Sequence, residues 1–167
     1  LIVNTINESE KPVILFISGG HTNLAEALDL DPGIAGNIRD VFIMGGSVYK
    51  PGNIHSDFPE NPNEVAEWNI WVDPQAASKV FNSGLSLHLI PLDATSQVPW
   101  SKKDLKGWDR NSDEGKLAGN LVQWMLDVWS VDSVYIWDLV AAVQTTQPEV
   151  CPETAMGLEI VTDPGLD

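Results

Sequence analysis

A carboxylate, an aromatic ring and an amide follow one another at Glu67, Trp68 and Asn69. A carboxylate accepts hydrogen bonds from sugar hydroxyls, an amide donates or accepts at another hydroxyl, and an indole offers a flat apolar surface. Asn53, which follows a glycine shortly upstream, adds a second amide. These residue types in this order indicate a site that binds a polyol or a ribose.

Each of these residues also has a structural interpretation. Glu67 and Asn69 would be solvated polar residues if they lay at a strand edge, and Asn53 would simply serve a Gly-Asn turn. Met44, in the Met-Gly-Gly segment before them, is a residue type found more often in a core than against a ligand. Both interpretations stay open while the residues are considered singly.

The composition limits the classes of function. The chain has 167 residues, of which 43% are hydrophobic and 20% are charged, so it suits one domain, residues 1–167, with a core. The formal net charge of −15 disfavours nucleic acid as a partner, because phosphate binding needs a basic surface. No apolar run approaches the ~20 residues of a membrane span, so no membrane contact is expected. Cys151 is the only cysteine, which excludes an internal disulfide, and the compartment stays open.

Apolar runs without alternation predict buried strands at residues 11–20, 40–47 and 85–93. Strands covered on both faces are typical of parallel sheet in α/β proteins. Each run ends in Gly, Ser or Asp, and in open parallel sheets the ligand lies at the carboxyl ends of the strands. We therefore expect Ser18, Met44 and Asp93 near a common rim.

Helices are predicted at residues 22–30, 73–81, 116–131 and 138–143. Asp73 and Pro74 give the second helix an N-cap residue and a proline at its first position. The third carries a stripe at helical spacing, to which we assign a core-facing role: Leu117, Leu121, Trp124, Met125 and Val128. The fold class is α/β, with an open, mostly parallel, Rossmann-like sheet flanked by helices. Residues 48–65 are predicted to form a long loop, and loops of that length are often functional.

Five segments, taken in order, resemble the inosine-uridine-preferring nucleoside hydrolases. They are SGGHTNLA at 18–25, MGG with GN at 44–53, AEWNIWVDP at 66–74, PLDAT at 91–95 and WDLVAA at 137–142. The resemblance covers nearly the whole chain. It implies the fold of that family, cleavage of the N-glycosidic bond of ribonucleosides to free base and ribose, and a homo-oligomer, either dimer or tetramer.

The resemblance also implies roles for single residues. Met44, Asn53, Glu67 and Asn69 match the residues that hold the ribose. Trp68 matches an aromatic residue, often Phe, that flanks the sugar and the base.

A metal site and a base preference follow from the same resemblance. The family binds one Ca²⁺; Asp138 matches one of its carboxylate ligands, and Ser18 matches the position that gives a main-chain carbonyl. Trp137 stands where broad-specificity members usually carry a His that acts as an acid on the leaving base. A Trp there resembles the purine-preferring members, and its ring face would favour a protonated purine by cation–π attraction. We therefore expect a purine nucleoside as substrate.

One part of the family pattern is absent from this sequence. The family opens with a strand ending in a cluster of Asp residues, which supply most Ca²⁺ ligands and the base that activates water. No such cluster stands near Leu1, so we expect it upstream, with this chain as the central to carboxyl-terminal portion of the domain and no certain catalytic base within it. The final residues, Asp163–Asp167, resemble the cluster, but Asp-Pro-Gly is a common turn sequence, and we interpret them as a turn rather than a permuted metal motif.

Other interpretations stay open. A protein that kept the fold but lost the carboxylates would bind a nucleoside or sugar without cleaving it. A broad-specificity or pyrimidine hydrolase is a third possibility, which Trp137 disfavours. His55, in the long loop, is a candidate for substrate contact, whereas His88 inside an apolar strand and Asp93 at a strand end are interpreted as structural.

Overall fold

The computed structural model describes residues 1–108 and 110–162. Helices and strands alternate along the first half of the chain. The helices are α1 Ile2–Asn7, α2 Thr22–Leu30, α3 Ile54–Asp57, α4 Trp68–Trp71, α5 Pro74–Phe81, α6 Leu92–Thr95, α7 Asp113–Val128 and α8 Trp137–Gln144. The strands are β1 Val13–Ile17, β2 Ile38–Met44, β3 Leu87–Ile90, β4 Pro99–Ser101 and β5 Ser133–Tyr135, and 3₁₀ turns cover Pro32–Asn37 and Asp104–Gly107.

A three-stranded parallel sheet, in the order β1-β2-β3, forms the centre of the structure. Ile17 pairs with Ile43, and Met44 pairs with Ile90, so the three strands end at the same edge. The central strand β2 is buried from Val41 to Met44, as a strand covered on both faces should be. The α/β prediction with parallel strands is therefore confirmed. A separate antiparallel pair, β4 with β5, lies outside this sheet and was not predicted.

Apolar side chains on the two faces of the sheet form two separate core clusters. One face packs against α2 and α5 through Leu24, Ala27, Ala76 and Val80. On the other face, residues of β2 and β3 pack against α8. The N-cap prediction for α5 is confirmed, since Asp73 accepts the Ala76 N–H at 3.0 Å. Helices thus cover both faces of the sheet.

Helix α7 differs from the prediction in the face that it buries. The predicted core-facing stripe is largely exposed: Leu117, Leu121, Trp124 and Val128 all expose more than half of their surface, and Trp124 is 57% exposed. The core assignment of Trp124 was therefore wrong. The buried side instead uses Leu126, with Val122 and Met125 packed beside it. Because α7 carries apolar residues nearly all round, its spacing alone did not identify the inward face.

The long loop contains more regular structure than predicted, and so do residues 100–114, a polar segment for which no element was predicted. Helix α3 lies within residues 48–65, and β4 with a 3₁₀ turn lies at the start of this polar segment. Within the described ranges, no helix has the length and apolarity needed to cross a bilayer. The predicted turn at Asp163–Asp167 lies outside the described residues.

Candidate active site

Met44 closes strand β2 and anchors the side chain of Asn69. Nδ2 of Asn69 donates to the Met44 carbonyl oxygen at 3.0 Å and lies 3.3 Å from the Met44 sulfur. Met44 is 2% exposed and Asn69 is 9% exposed, so this contact is shielded from water. With Nδ2 committed to Met44, Oδ1 of Asn69 is the amide atom left to accept a hydrogen bond from a ligand.

Glu67 is the N-cap residue of α4, and its two carboxylate oxygens have different surroundings. Oε2 accepts three backbone N–H groups, from Gly46 at 2.8 Å, Asn69 at 2.9 Å and Ile70 at 3.3 Å. Oε1 accepts none of these and is therefore the oxygen available to a hydroxyl. Glu67 is 3% exposed, so the strand-edge interpretation of this residue was wrong.

The surroundings of Glu67 disfavour its charged form. Burial raises the pKa of this carboxyl, the backbone N–H groups that it accepts oppose that shift, and the negative charge of Asp138 adds to the rise. The effect of Asp138 means that the two carboxyl groups lie near enough to repel each other. A cation or a hydroxyl donor placed beside them would relieve this repulsion.

Asn53 links the start of the long loop to α4. Its Oδ1 accepts the backbone N–H of Trp68 at 2.9 Å, which leaves Nδ2 as a donor. The main chain continues the link, since Gly52 N–H donates to Glu64 O at 2.8 Å and Asn53 N–H to Ala66 O at 3.1 Å. A Cβ at Gly52 would lie 1.9 Å from the Ala66 carbonyl oxygen, so only glycine fits this close approach.

Trp68 stands within a cluster of three aromatic rings. Phe58 stacks on it with ring centroids 5.4 Å apart and an interplanar angle of 25°, and Trp71 lies 5.6 Å away at 37°. Trp68 remains 39% exposed and Phe58 41% exposed. Phe58 was not among the residues that the sequence indicated, because no spacing rule connects a loop residue to a ring ten positions later.

Trp137 and Asp138 are the first two residues of helix α8. The Trp137 ring packs against the cluster that contains Met44, stacks on Tyr135 at 5.6 Å and 12°, and donates Nε1–H to Ser96 at 3.3 Å. Asp138 is exposed by surface area, but desolvation at its carboxyl raises its pKa. Its side chain makes no hydrogen bond to the described part of the chain.

A metal ion would find oxygen donors here. Ser18 follows β1 directly, next to the end of β2 in the sheet register, and Asp138 is an unpartnered carboxylate with a raised pKa. A carboxylate and a main-chain carbonyl are hard donors that suit Ca²⁺, which takes about six to eight oxygen ligands. Among residues 1–108 and 110–162, no group of three or more His, Cys, Asp or Glu side chains is placed to hold a metal. These two residues fit the ion but would form only part of its ligand set.

Other sequence candidates take structural positions. His55 contacts its own loop through Nδ1 and the Asn61 carbonyl oxygen at 2.7 Å. His88 stacks on Phe42 and contacts Glu153 at 2.8 Å. Asp93 accepts the N–H groups of Val48 and Tyr49, both at 2.8 Å, and so holds the chain after β2.

His21, within the SGGHTNLA segment, is a buried residue that the sequence did not identify as part of the core. It is 0% exposed, and neither ring nitrogen has a hydrogen-bond partner within the described residues by distance and angle. Its burial lowers its pKa. His21 is thus a buried residue at the start of α2, with its ring 6.0 Å from that of Phe81 in α5 and near the backbone of Asn69.

Comparison with known proteins matches the chain to one family model and to several named relatives. The family model "inosine-uridine preferring nucleoside hydrolase" matches residues 1–167. The chain is 32% identical to nucleoside hydrolase 3 of Arabidopsis thaliana, over 83% of this chain and 18% of that protein. It is 30% identical to probable uridine nucleosidase 2 of Oryza sativa subsp. japonica, over 89% of this chain and 43% of that protein.

Solved structures show the same similarity. An inosine-uridine preferring nucleoside hydrolase from Bacillus anthracis matches with a TM-score of 0.73 and 26% identity, covering 89% of this chain and 47% of that one. A purine-preferring ribonucleoside hydrolase from Gardnerella vaginalis matches with a TM-score of 0.70 and 27% identity, covering 89% and 46%. The chain thus spans less than half the length of these relatives. The chain belongs to the inosine-uridine preferring nucleoside hydrolase family.

Proposed function

We propose that the intact protein carrying this chain hydrolyses the N-glycosidic bond of ribonucleosides, with purine nucleosides preferred. One observation carries the proposal. Oε2 of Glu67 accepts three backbone N–H groups, which leaves Oε1 as an acceptor near the end of strand β2. Asn53 adds a free amide donor and Asn69 a free amide acceptor. One donor and two acceptors on rigid elements suit the vicinal hydroxyls of a ribose.

In this reaction the oxygen of water forms a bond to C1′ as the bond from C1′ to the base nitrogen breaks. One proton of the water is lost to a base, and the departing nitrogen gains a proton. The sugar passes through an oxocarbenium-like state with positive charge near C1′. A negative charge at Glu67 beside the sugar would favour that state, and a hydroxyl that donates to Oε1 would be restrained by this bond.

Asp138 and the Ser18 carbonyl are proposed as ligands of a Ca²⁺ ion. Such an ion, when bound, would supply a fixed positive charge that makes a nearby water more acidic and orients ribose hydroxyls. Burial raises the pKa values of both Glu67 and Asp138, and the charge of Asp138 adds to the rise at Glu67; a cation beside the two carboxylates would favour the charged form of each, which supports the proposal. The remaining ligands and the general base would come from outside this chain.

The proposed purine preference rests on two aromatic residues, Trp68 and Trp137. Trp68 is exposed over part of its ring, and Trp137 adjoins Asp138. A purine offers a larger stacking area than a pyrimidine, so exposed indole surface favours it. The relative from Gardnerella vaginalis is titled purine-preferring, whereas the rice relative is named a probable uridine nucleosidase, so both base classes occur among the relatives.

The proposal is tested by measuring free base released from inosine, guanosine, uridine and cytidine by the intact protein. Each nucleoside is assayed with added calcium and again with a chelator, and oligomeric state is determined in parallel to test the proposed dimer or tetramer. We expect release that is fastest from the two purine nucleosides and that stops on chelation. Tight binding without release would instead identify a protein that binds nucleosides without cleaving them. Preferential release from uridine and cytidine would refute the purine preference.

A further inference from the structure

Phe58 is one of two aromatic residues whose rings contact the partly exposed ring of Trp68. It follows α3 in the loop that joins Asn53 to Glu67, and its ring stacks on Trp68 at 5.4 Å. Both ends of this loop are residues that we propose for ribose binding. A change at the loop tip therefore acts directly on the wall beside the sugar.

The loop that carries Phe58 is held by its own hydrogen bonds. Phe58 N–H donates to Ile54 O at 2.8 Å, and its carbonyl accepts Asn61 N–H at 2.8 Å. Farther along, Oδ1 of Asn63 accepts the N–H groups of Val65 at 3.0 Å and Ala66 at 2.8 Å. These bonds fix the main chain from which the Phe58 ring reaches Trp68.

Phe58 and Trp71 support different parts of Trp68. Each ring contacts Trp68, but within the described ranges no ring contact joins Phe58 to Trp71. Trp68 also has its backbone N–H fixed by Asn53. These contacts restrict the orientations that the exposed part of the indole can adopt. Without Phe58, ordering that ring would fall to the ligand, and weaker binding would follow.

We propose that Phe58 is a positioning residue that fixes Trp68 and so sets the preference for a purine over a pyrimidine base. The inference rests on the proposed function and extends it to a residue that is not among those proposed to bind the ribose. A fixed indole binds the base with the larger apolar face more tightly, because stacking energy grows with the contact area. Loss of the Phe58 ring should therefore weaken purine nucleosides more than pyrimidine nucleosides.

The test compares Phe58→Leu with Phe58→Tyr in the intact protein. Leucine keeps apolar volume but removes the ring, whereas tyrosine keeps the ring. Phe58→Leu is expected to raise KM for inosine about 3- to 10-fold, the size of one aromatic pair. For uridine the expected rise is less than about 2-fold, with kcat nearly unchanged for both substrates. Phe58→Tyr is expected to keep both wild-type values.

Tyr49 supplies the matched control. It precedes the same loop and exposes 84% of its surface, and its side chain makes no ring contact with the described residues. Tyr49→Ala should leave both KM values unchanged. An unchanged KM for inosine in Phe58→Leu would overturn the inference, and so would an equal rise for inosine and uridine, or a Phe58→Tyr variant that behaves like Phe58→Leu.

A second readout does not need turnover. Near-ultraviolet circular dichroism should lose tryptophan signal in Phe58→Leu, and the same change should have no effect in a Trp68→Phe background. If the wild-type protein releases no base, the proposed function fails, and this spectral comparison still decides whether Phe58 positions Trp68. An identical spectrum for wild type and Phe58→Leu would refute that positioning role.

Discussion

The backbone N–H of Trp68 donates to Oδ1 of Asn53 at 2.9 Å. This bond joins the two ends of the loop between Asn53 and Glu67. The two amide atoms of Asn53 therefore have different roles: Oδ1 accepts a backbone N–H of α4, and Nδ2 can donate to a ligand. In Asn69 the roles are reversed: Nδ2 donates to the Met44 carbonyl oxygen, and Oδ1 can accept from a ligand. The same substitution at the two positions should therefore have different consequences.

Asn→Asp replacements separate these roles. Asn53→Asp keeps an acceptor for the Trp68 N–H, so the free energy of unfolding should change by less than about 1 kcal/mol while turnover of inosine falls, because the donor is lost. Asn69→Asp places a carboxylate oxygen against the Met44 carbonyl oxygen and should cost about 1–3 kcal/mol in stability. Denaturant unfolding of both variants measures the difference. Equal destabilisation of the two variants would contradict the assignment of the amide atoms.

Gly52 offers a test of the link between the loop and α4. Gly52→Ala would force its Cβ into the Ala66 carbonyl, so we expect a loss of about 1–3 kcal/mol in unfolding free energy and a raised KM for inosine. Gly36→Ala is the control, because a Cβ at Gly36 meets no atom within 4 Å. Similar melting temperatures for the two variants would show that the loop can shift without cost.

Local signals in the sequence predicted the sheet and its capped helix. Apolar runs marked β1, β2 and β3, and Asp73 with Pro74 marked the start of α5, because those signals depend on neighbours in the chain. Glu67 was selected as a candidate for ribose binding, which stays a prediction, and its N-cap position was not predicted. Glutamate is an uncommon N-cap, and the surrounding aromatic residues favour a strand.

Contacts between distant residues could not be predicted in the same way. The stack of Phe58 on Trp68 depends on how the loop folds back, and the exposed face of α7 depends on what packs beside it. Trp124 illustrates the second limit: helical spacing grouped it with apolar neighbours, yet the structure places that group at the surface.

His21 predicts a pH dependence of stability. Burial lowers the pKa of His21 in the folded state, so the folded protein disfavours its protonated form. Its contribution to stability is therefore complete above the unfolded pKa of about 6.5 and is lost as the pH falls below that value, at up to about 1.4 kcal/mol per pH unit.

The comparison that isolates this effect uses His21→Leu. Glu67 and Asp138 have raised pKa values and act in the opposite direction as the pH falls, but they are present in both proteins. The difference in unfolding free energy between wild type and His21→Leu should shift in favour of the variant between pH 7 and pH 5. A difference that stays constant over this interval would mean that His21 accepts a proton in the folded state without penalty.

The most direct test of the central claim is inosine turnover by Glu67→Gln, with Glu64→Gln as the matched control. Glutamine can keep its oxygen on the three backbone N–H groups that bind Oε2, so its amide nitrogen would replace Oε1 and offer a donor where the ribose needs an acceptor. Glu64 is exposed, so Glu64→Gln introduces the same chemical change three residues away at the surface. We predict that Glu67→Gln melts no lower than wild type but releases hypoxanthine at least about 100-fold more slowly, while Glu64→Gln matches wild type. Wild-type turnover by a folded Glu67→Gln protein would contradict the account.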